Sequence, residues 1–200
     1  MFLRLGYPLT SRENGRPSSL GIFQVRASKG DQPIFLNRFE GKEMSELEDL
    51  AKVFDGDDVS WIHDGFKTEK ELVERGDRYM EFLFSPFPDL KLPRGFRALE
   101  IGSGLGYIME ALERYAQIQG VPAERIIGLD IAANMLEKAK ARISSRPFDF
   151  LHYDGVHVPF EDGSLDFVYS VASLQHIPKP FVYNLFFEIK GVQPLAPDWL

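Results

Sequence analysis

Hydrophobic and polar positions change period several times along the chain, and each change predicts an element. In the first 44 residues no helical period is sustained. Gly21 to Arg26 and Pro33 to Leu36 are strand-like, with turn chemistry at Ser28 to Asp31, so a hairpin is expected there, while Arg12 to Ser19 reads as loop. A short amphipathic helix is expected from Glu46 to Phe54. A longer one, Lys67 to Leu83, carries Leu72, Val73, Tyr79, Met80 and Leu83 on an apolar stripe before Pro86, Pro88 and Pro93 break the chain. The run Ala98, Leu99, Ile101 has the look of a strand buried on both faces, and Tyr107, Ile108, Ala111 and Leu112 then switch to helical spacing. Ile126 to Ile131 repeats the buried-strand pattern ahead of a helix from Ala132 to Arg142. Phe167 to Val171 does so again ahead of a helix from Lys179 to Lys190, with Phe181, Leu185, Phe186 and Ile189 at helical spacing. Strands alternating with helices predict an α/β fold with a mostly parallel sheet. The expected division is an arm over 1–44, a helical lead-in or lid over 45–95, and an α/β core over 96–200.

Between the first core strand and its helix lies Gly102-Ser103-Gly104-Leu105-Gly106. Alternate glycines permit positive φ and remove the Cβ atoms that would hold a ligand away from the main chain, and the following helix points free amides at whatever lies above. A dinucleotide fingerprint would need its third glycine at position 107, where this chain has Tyr107, which disfavours a dinucleotide-dependent oxidoreductase. A tight turn with no ligand is the alternative for the loop taken alone. Asp130 ends the second core strand, and strand ends in an open α/β sheet line one crevice, so its carboxylate can face the glycine loop and accept two hydroxyl hydrogen bonds. Its other reading is the N-cap of the next helix.

The stretch E-I-G-S-G-L-G from Glu100 resembles motif I of the class I S-adenosylmethionine-dependent methyltransferases. The resemblance continues through D-I-A-A-N-M-L-E-K-A-K from Asp130, and through Asp149 to Pro178, so that it covers Leu99 to Pro178. It implies a Rossmann-like, doubly wound sheet of order 3-2-1-4 with S-adenosyl-L-methionine across the strand ends. By the same resemblance Glu100, Gly102, Ser103, Gly104 and Gly106 form the cradle, Asp130 and Ile131 meet the ribose, and Asp154 with Gly155 and Val156 takes the adenine. Ser170 to Ser173 would floor the methionine end, and the lead-in helix would cover the mouth, bringing Trp61, His63, Arg78 and Tyr79 within reach unless these only pack or face solvent.

Composition narrows the partners. The 200 residues are 44% hydrophobic and 26% charged, with a net charge of -7 that disfavours a nucleic-acid backbone. No run can span a bilayer and no signal peptide is recognised at the start, so a cytoplasmic protein is expected. Zero cysteines remove thiolate chemistry, and four scattered histidines lack metal-ligand spacing. The resemblance implies a small-molecule methyl acceptor. Methyl transfer needs a base only for a hydroxyl or protonated amine acceptor, and His176, just past the fourth strand, is the candidate catalytic residue, with a structural role as its alternative.

The family pattern stops early. Gly191 to Leu200 holds two prolines and cannot supply three further strands, so the sheet is expected to be incomplete and Phe167 to Val171 to form an apolar edge. The hairpin, a second copy of the chain or another partner chain is expected to cover that edge, or nothing if the chain is a truncated product. Two functions follow: a working small-molecule methyltransferase, or a non-catalytic protein of the same fold, a partner subunit or truncated form.

Overall fold

A computed structural model describes residues 42–56, 68–88, 90–143, 145 and 147–192. The hairpin expected at Gly21 to Leu36, along with Trp61 and His63, lies outside the described residues. In chain order the elements are α1 (Lys42–Phe54), α2 (Glu69–Phe84), β1 (Arg97–Ile101), α3 (Tyr107–Ile118), β2 (Arg125–Asp130), α4 (Ala133–Arg142), β3 (Phe148–His152), β4 (Phe167–Tyr169), a 3-10 turn at Leu174–His176, and α5 (Lys179–Val192). The four strands are parallel and ordered β3-β2-β1-β4, as expected for the doubly wound core.

The helices start where local chemistry lets them. Thr68 caps α2 through a capping box, its hydroxyl accepting from Glu71 N (3.2 Å) while the Glu71 carboxylate accepts from Thr68 N (3.1 Å). Such a cap contributes about 1 kcal/mol. Leu72, Gly76, Met80 and Leu83 form the buried stripe of α2. Gly76 permits the close approach of α3, because a Cβ there would lie 3.0 Å from both Ala111 Cβ and the Tyr107 carbonyl oxygen. Arg142, at the end of α4, then ties three elements together by pairing with Glu69 and Glu110 and donating to the Leu105 carbonyl.

Strand alternation sorts residues between two cores. Ala98, Ile126, Phe167 and Tyr169 bury against α2 and α3, whereas Leu99, Ile101, Ile127 and Leu129 pack with Leu185 of α5 on the opposite face. Helices on both faces explain why β1 and β2 read as unbroken apolar runs. As expected, β4 is an edge strand of the described sheet, paired there with β1, but its apolar side chains are not bare. Phe167, Tyr169 and Val171 are all buried, and the Phe167 ring stacks on Phe84 of α2 at 5.9 Å between centroids. The side chains of this edge are thus largely covered by the chain's own packing, and β4 itself is three residues long.

At the switch point between β1 and β4 the two strand ends interlock. Ser173 donates its hydroxyl to the Gly102 carbonyl (2.8 Å), and a Cβ on Gly102, whose φ is +73°, would meet Ser173 Oγ at 2.2 Å and Cβ at 2.4 Å. Gly102→Ala therefore combines left-handed strain with overpacking and should destabilise the fold by about 2 to 5 kcal/mol, read as a lower urea midpoint. An unchanged midpoint would mean that the two loops are not locked together.

Candidate functional site

A cavity of about 300 Å³ opens at the carboxyl ends of the strands, at the low end of the range for small-molecule sites. The glycine loop forms one wall. Gly102 N donates to the Leu129 carbonyl (2.7 Å) and Gly106 N to the Ser103 carbonyl (2.9 Å), which folds the loop back over β2. Gly102, Ser103 and Gly104 line the cavity. Gly128 on β2 supplies room for this fold-back, since a Cβ there would sit 2.5 Å from Ser103 Oγ. The Ser103 hydroxyl is buried and makes no hydrogen bond to any described group.

Asp130, at the end of β2, joins the loop to the next helix. Its Oδ2 accepts from Gly104 N at 2.8 Å and its Oδ1 from Ala132 N at 3.0 Å. Burial pushes its carboxyl above the usual aspartate value, opposed by the amide hydrogen bonds from Ala132, Gly104 and Ile131. A carboxylate has about four lone-pair sites, so about one remains beyond these three amide bonds. The N-cap of α4 is Ala132, so the Asp130 carboxylate is not the cap but accepts from the cap residue's amide. It organises the start of α4, and it stays on the cavity wall beside Ile131.

Glu100 is the more isolated acid. It is 1% exposed, and its nearest partner is the Tyr169 hydroxyl, which donates to Oε2 at 3.3 Å from the register-paired position on β4. Burial raises its carboxyl well above the ordinary value of 4.5; the Tyr169 hydrogen bond works against that rise and the charge of Asp130 adds to it.

The roof comes from α1, where Leu47, Leu50 and Phe54 face the cavity. Asp55 holds the end of α1 down by accepting from Asn134 N at 2.6 Å, which gives α4 the acceptor that Ala132 lacks at its start. Leu47 also explains Gly155, whose φ is +81°, since a Cβ there would meet Leu47 Cδ2 at 2.6 Å. His176 lines the cavity, its ring edge-on to Phe54 at 5.4 Å. Gln175 Nε2 lies 3.0 Å from His176 Nε2, and because an amide NH2 only donates, that ring nitrogen accepts. Next to it Ala172 is held at φ +57°, a left-handed conformation costly for a residue with a Cβ.

Several expected residues sit elsewhere. Gly106 starts α3 at φ +75° against Ile143 and Phe150, and it does not line the cavity. Ser170 is buried and donates to the Ile101 carbonyl at 2.8 Å, a brace between β4 and β1. Asp154 lies off the cavity wall. Burial works against its ionised form, but hydrogen bonds from His157 N, the His157 ring (2.7 Å) and Val156 N leave its carboxyl below the usual value. Arg78 is exposed, and it is Arg75, one helical step earlier, that reaches the cavity while donating to the Tyr79 hydroxyl at 2.9 Å. The apolar spacing of residues 47, 50 and 54 was the available signal for the roof; nothing in the sequence distinguished Arg75 from Arg78.

These features fit a nucleoside-bearing cofactor. Glycines keep side chains out of the cradle, and an oriented carboxylate on its wall retains acceptor capacity. Among the described residues no cluster could hold a metal ion, and no helix is long and apolar enough to cross a membrane. The buried acid also predicts a pH dependence. Above pH 4.5 the folded state keeps the Glu100 proton that the unfolded chain loses, so this group's contribution to stability, complete below that value, falls as pH rises towards its folded value. Glu100→Gln should remove that slope in urea titrations across pH. Parallel pH profiles for parent and variant would show that Glu100 ionises normally.

Residues 99–192 match the family model described as a methyltransferase domain. An uncharacterized 37.1 kDa protein in transposon TN4556 of Streptomyces fradiae is 32% identical over 43% of this chain and 24% of its own length. Demethylmenaquinone methyltransferase of Staphylococcus aureus (strain JH9) is 31% identical over 45% of this chain and 36% of its own length. The matched stretch therefore spans about a third or less of these relatives. Among solved structures, phosphoethanolamine N-methyltransferase 1 of Haemonchus contortus, in complex with phosphoethanolamine and S-adenosylhomocysteine, shares the fold at a TM-score of 0.56 and 14% identity, covering 76% of this chain and 31% of that one. Glycine loop, strand order and matched domain agree, and residues 99–192 belong to the class I methyltransferases, whose cofactor is S-adenosyl-L-methionine.

Proposed function

We propose that the chain is an S-adenosylmethionine-dependent methyltransferase acting on a small-molecule acceptor. The observation that carries this reading is the orientation of Asp130. Two backbone amides fix its carboxylate on the cavity wall beside the glycine loop, which suits it to accept from a ribose diol. When bound, the cofactor supplies the electrophilic methyl group, and the protein's part is to hold, orient and exclude water. Gly102, Ser103 and Gly104 would hold it through their backbone, with Ile131 and Gly155 closing against its ring systems.

Support for a small acceptor comes from the roof. Leu47, Leu50 and Phe54 make an apolar cover over a cavity of about 300 Å³, a shape for a compact molecule and too confined for a duplex. The relative from Staphylococcus aureus is named for a quinone-type acceptor, demethylmenaquinone, and an apolar acceptor would suit this roof. Among the described residues His176 is the cavity's one imidazole, which makes it the candidate base for a hydroxyl acceptor or protonated amine once its Nε2 parts from Gln175. Asp154, turned onto His157, would reach an adenine amino group only by leaving that partner.

Asp130→Asn should weaken S-adenosylmethionine binding by about 1.5 to 3 kcal/mol in calorimetry, as charge-assisted hydrogen bonds are lost. Asp130→Ala should in addition lower stability by about 2 kcal/mol or more, because the amides of Gly104 and Ala132 lose their acceptor. Equal affinity of Asp130→Asn and parent would remove Asp130 from the ribose. A transfer assay with labelled cofactor over a panel of quinones, phenols and amines tests the activity itself. Tight binding without transfer to any of them would favour the non-catalytic protein of the same fold.

A further inference from the structure

Glu100 is the polar group whose surroundings the proposed reaction leaves unused. Its carboxyl lies on the cavity wall at 1% exposure, on the strand face it shares with the fully buried Ala98. Its register neighbours are Gly128 on β2 and Tyr169 on β4. The charged and titratable groups facing it from the packed elements are few. Asp130 at the end of β2 is a second acid on the same wall, and Tyr169 gives one long hydrogen bond of 3.3 Å. Tyr107 of α3 is buried beside both Glu100 and Arg75, and burial drives its hydroxyl up, so it stays neutral. Arg75 of α2 donates to the Tyr79 hydroxyl (3.2 and 2.9 Å). His176 stands on the wall, and His152 bears on Asp130. An ionised Glu100 would thus be a buried anion beside another anion with a single neutral donor, which a low-dielectric site does not sustain.

We infer that Glu100 is un-ionised when no cationic ligand is in the cavity, and that entry of such a ligand ionises it, with its proton passing to solvent. The balance is simple: the neutral acid and the cation become an ion pair inside the cavity, and one proton leaves. The inference rests on the cofactor reading above, since S-adenosylmethionine brings both a sulfonium and an ammonium charge. It makes the site selective for cations by a route that Asp130 does not share, because the Asp130 carboxylate is already held by two amides.

The test is calorimetry of S-adenosylmethionine binding at neutral pH in phosphate and in Tris, whose ionisation enthalpies differ widely. The parent protein should release close to one proton per cofactor bound, and Glu100→Gln should release close to none. Binding by the parent with no proton released would overturn the inference and leave the cofactor reading standing. Release that persists in Glu100→Gln and vanishes in Asp130→Asn would overturn it in favour of Asp130. An arm that needs no cofactor is the infrared carbonyl band of a protonated carboxyl in the ligand-free protein, expected in the parent and missing in Glu100→Gln. Identical spectra would overturn the inference, while a differing spectrum with no binding would support the neutral acid and sink the cofactor reading instead.

Discussion

The carboxylate of Asp130 is the constraint on which the rest of the site depends. It closes the ring of contacts from β2 to the glycine loop through Gly104 N and from β2 to α4 through Ala132 N, so one side chain sets where two loops begin. A loop of three glycines has little side-chain packing to define it, and its shape must come from backbone hydrogen bonds. Asp130 supplies one of those, the Leu129 carbonyl supplies another to Gly102, and Ser173 secures the Gly102 carbonyl from the β4 side. A cradle built this way is rigid before any ligand arrives, and preorganisation of that kind reduces the ordering cost of binding.

Much of this was legible in the sequence because the determining features were local or periodic. The succession of strands and helices followed from buried runs at Leu99, Ile127 and Val168 alternating with helical stripes, the sheet order from the resemblance to the methyltransferase motifs, and the start of the α3 helix at Tyr107 from the glycines before it. What escaped was set by tertiary packing. Nothing local marks Phe167 and Tyr169 as covered, because the residues that cover them sit on α2, some eighty positions earlier, with the rings of Phe84 and Phe167 stacked. In the same way nothing local announced the partner that Asp154, the residue expected at the adenine, takes in this structure. His157, three residues on, captures the carboxylate at 2.7 Å, and an exposed turn can satisfy itself more cheaply than it can reach across a cavity. The difference between Arg75 and Arg78 was one of helical phase, decided by which face of α2 meets α3.

Charge divides the cavity into unlike ends. Asp130 is an anion stabilised by amides, Glu100 is an acid whose surroundings oppose ionisation, and Arg75 contributes a cation from α2. A zwitterionic ligand with a further positive charge matches such a wall better than a polyanion does, because two acids and one guanidinium repel phosphate as much as they attract it. The net charge of -7 extends that preference beyond the cavity.

The roof completes the argument, since α1 is joined to the core differently from the sheet's other helices. Leu47 packs into a small cluster with Val156 and Phe181, Asp55 caps α4, and Phe54 touches His176, so two of these three contacts, those of Leu47 and Phe54, involve residues on the cavity wall. Its remaining ion pairs, Lys42 with Glu46 and Lys52 with Asp49, are internal and exposed and add little. A helix held by contacts that a ligand would also touch has a stability coupled to occupancy: filling the cavity adds apolar surface under Leu47, Leu50 and Phe54, and lifting the helix removes it. Cofactor retention and placement of the His176 ring therefore depend on the same few residues of α1.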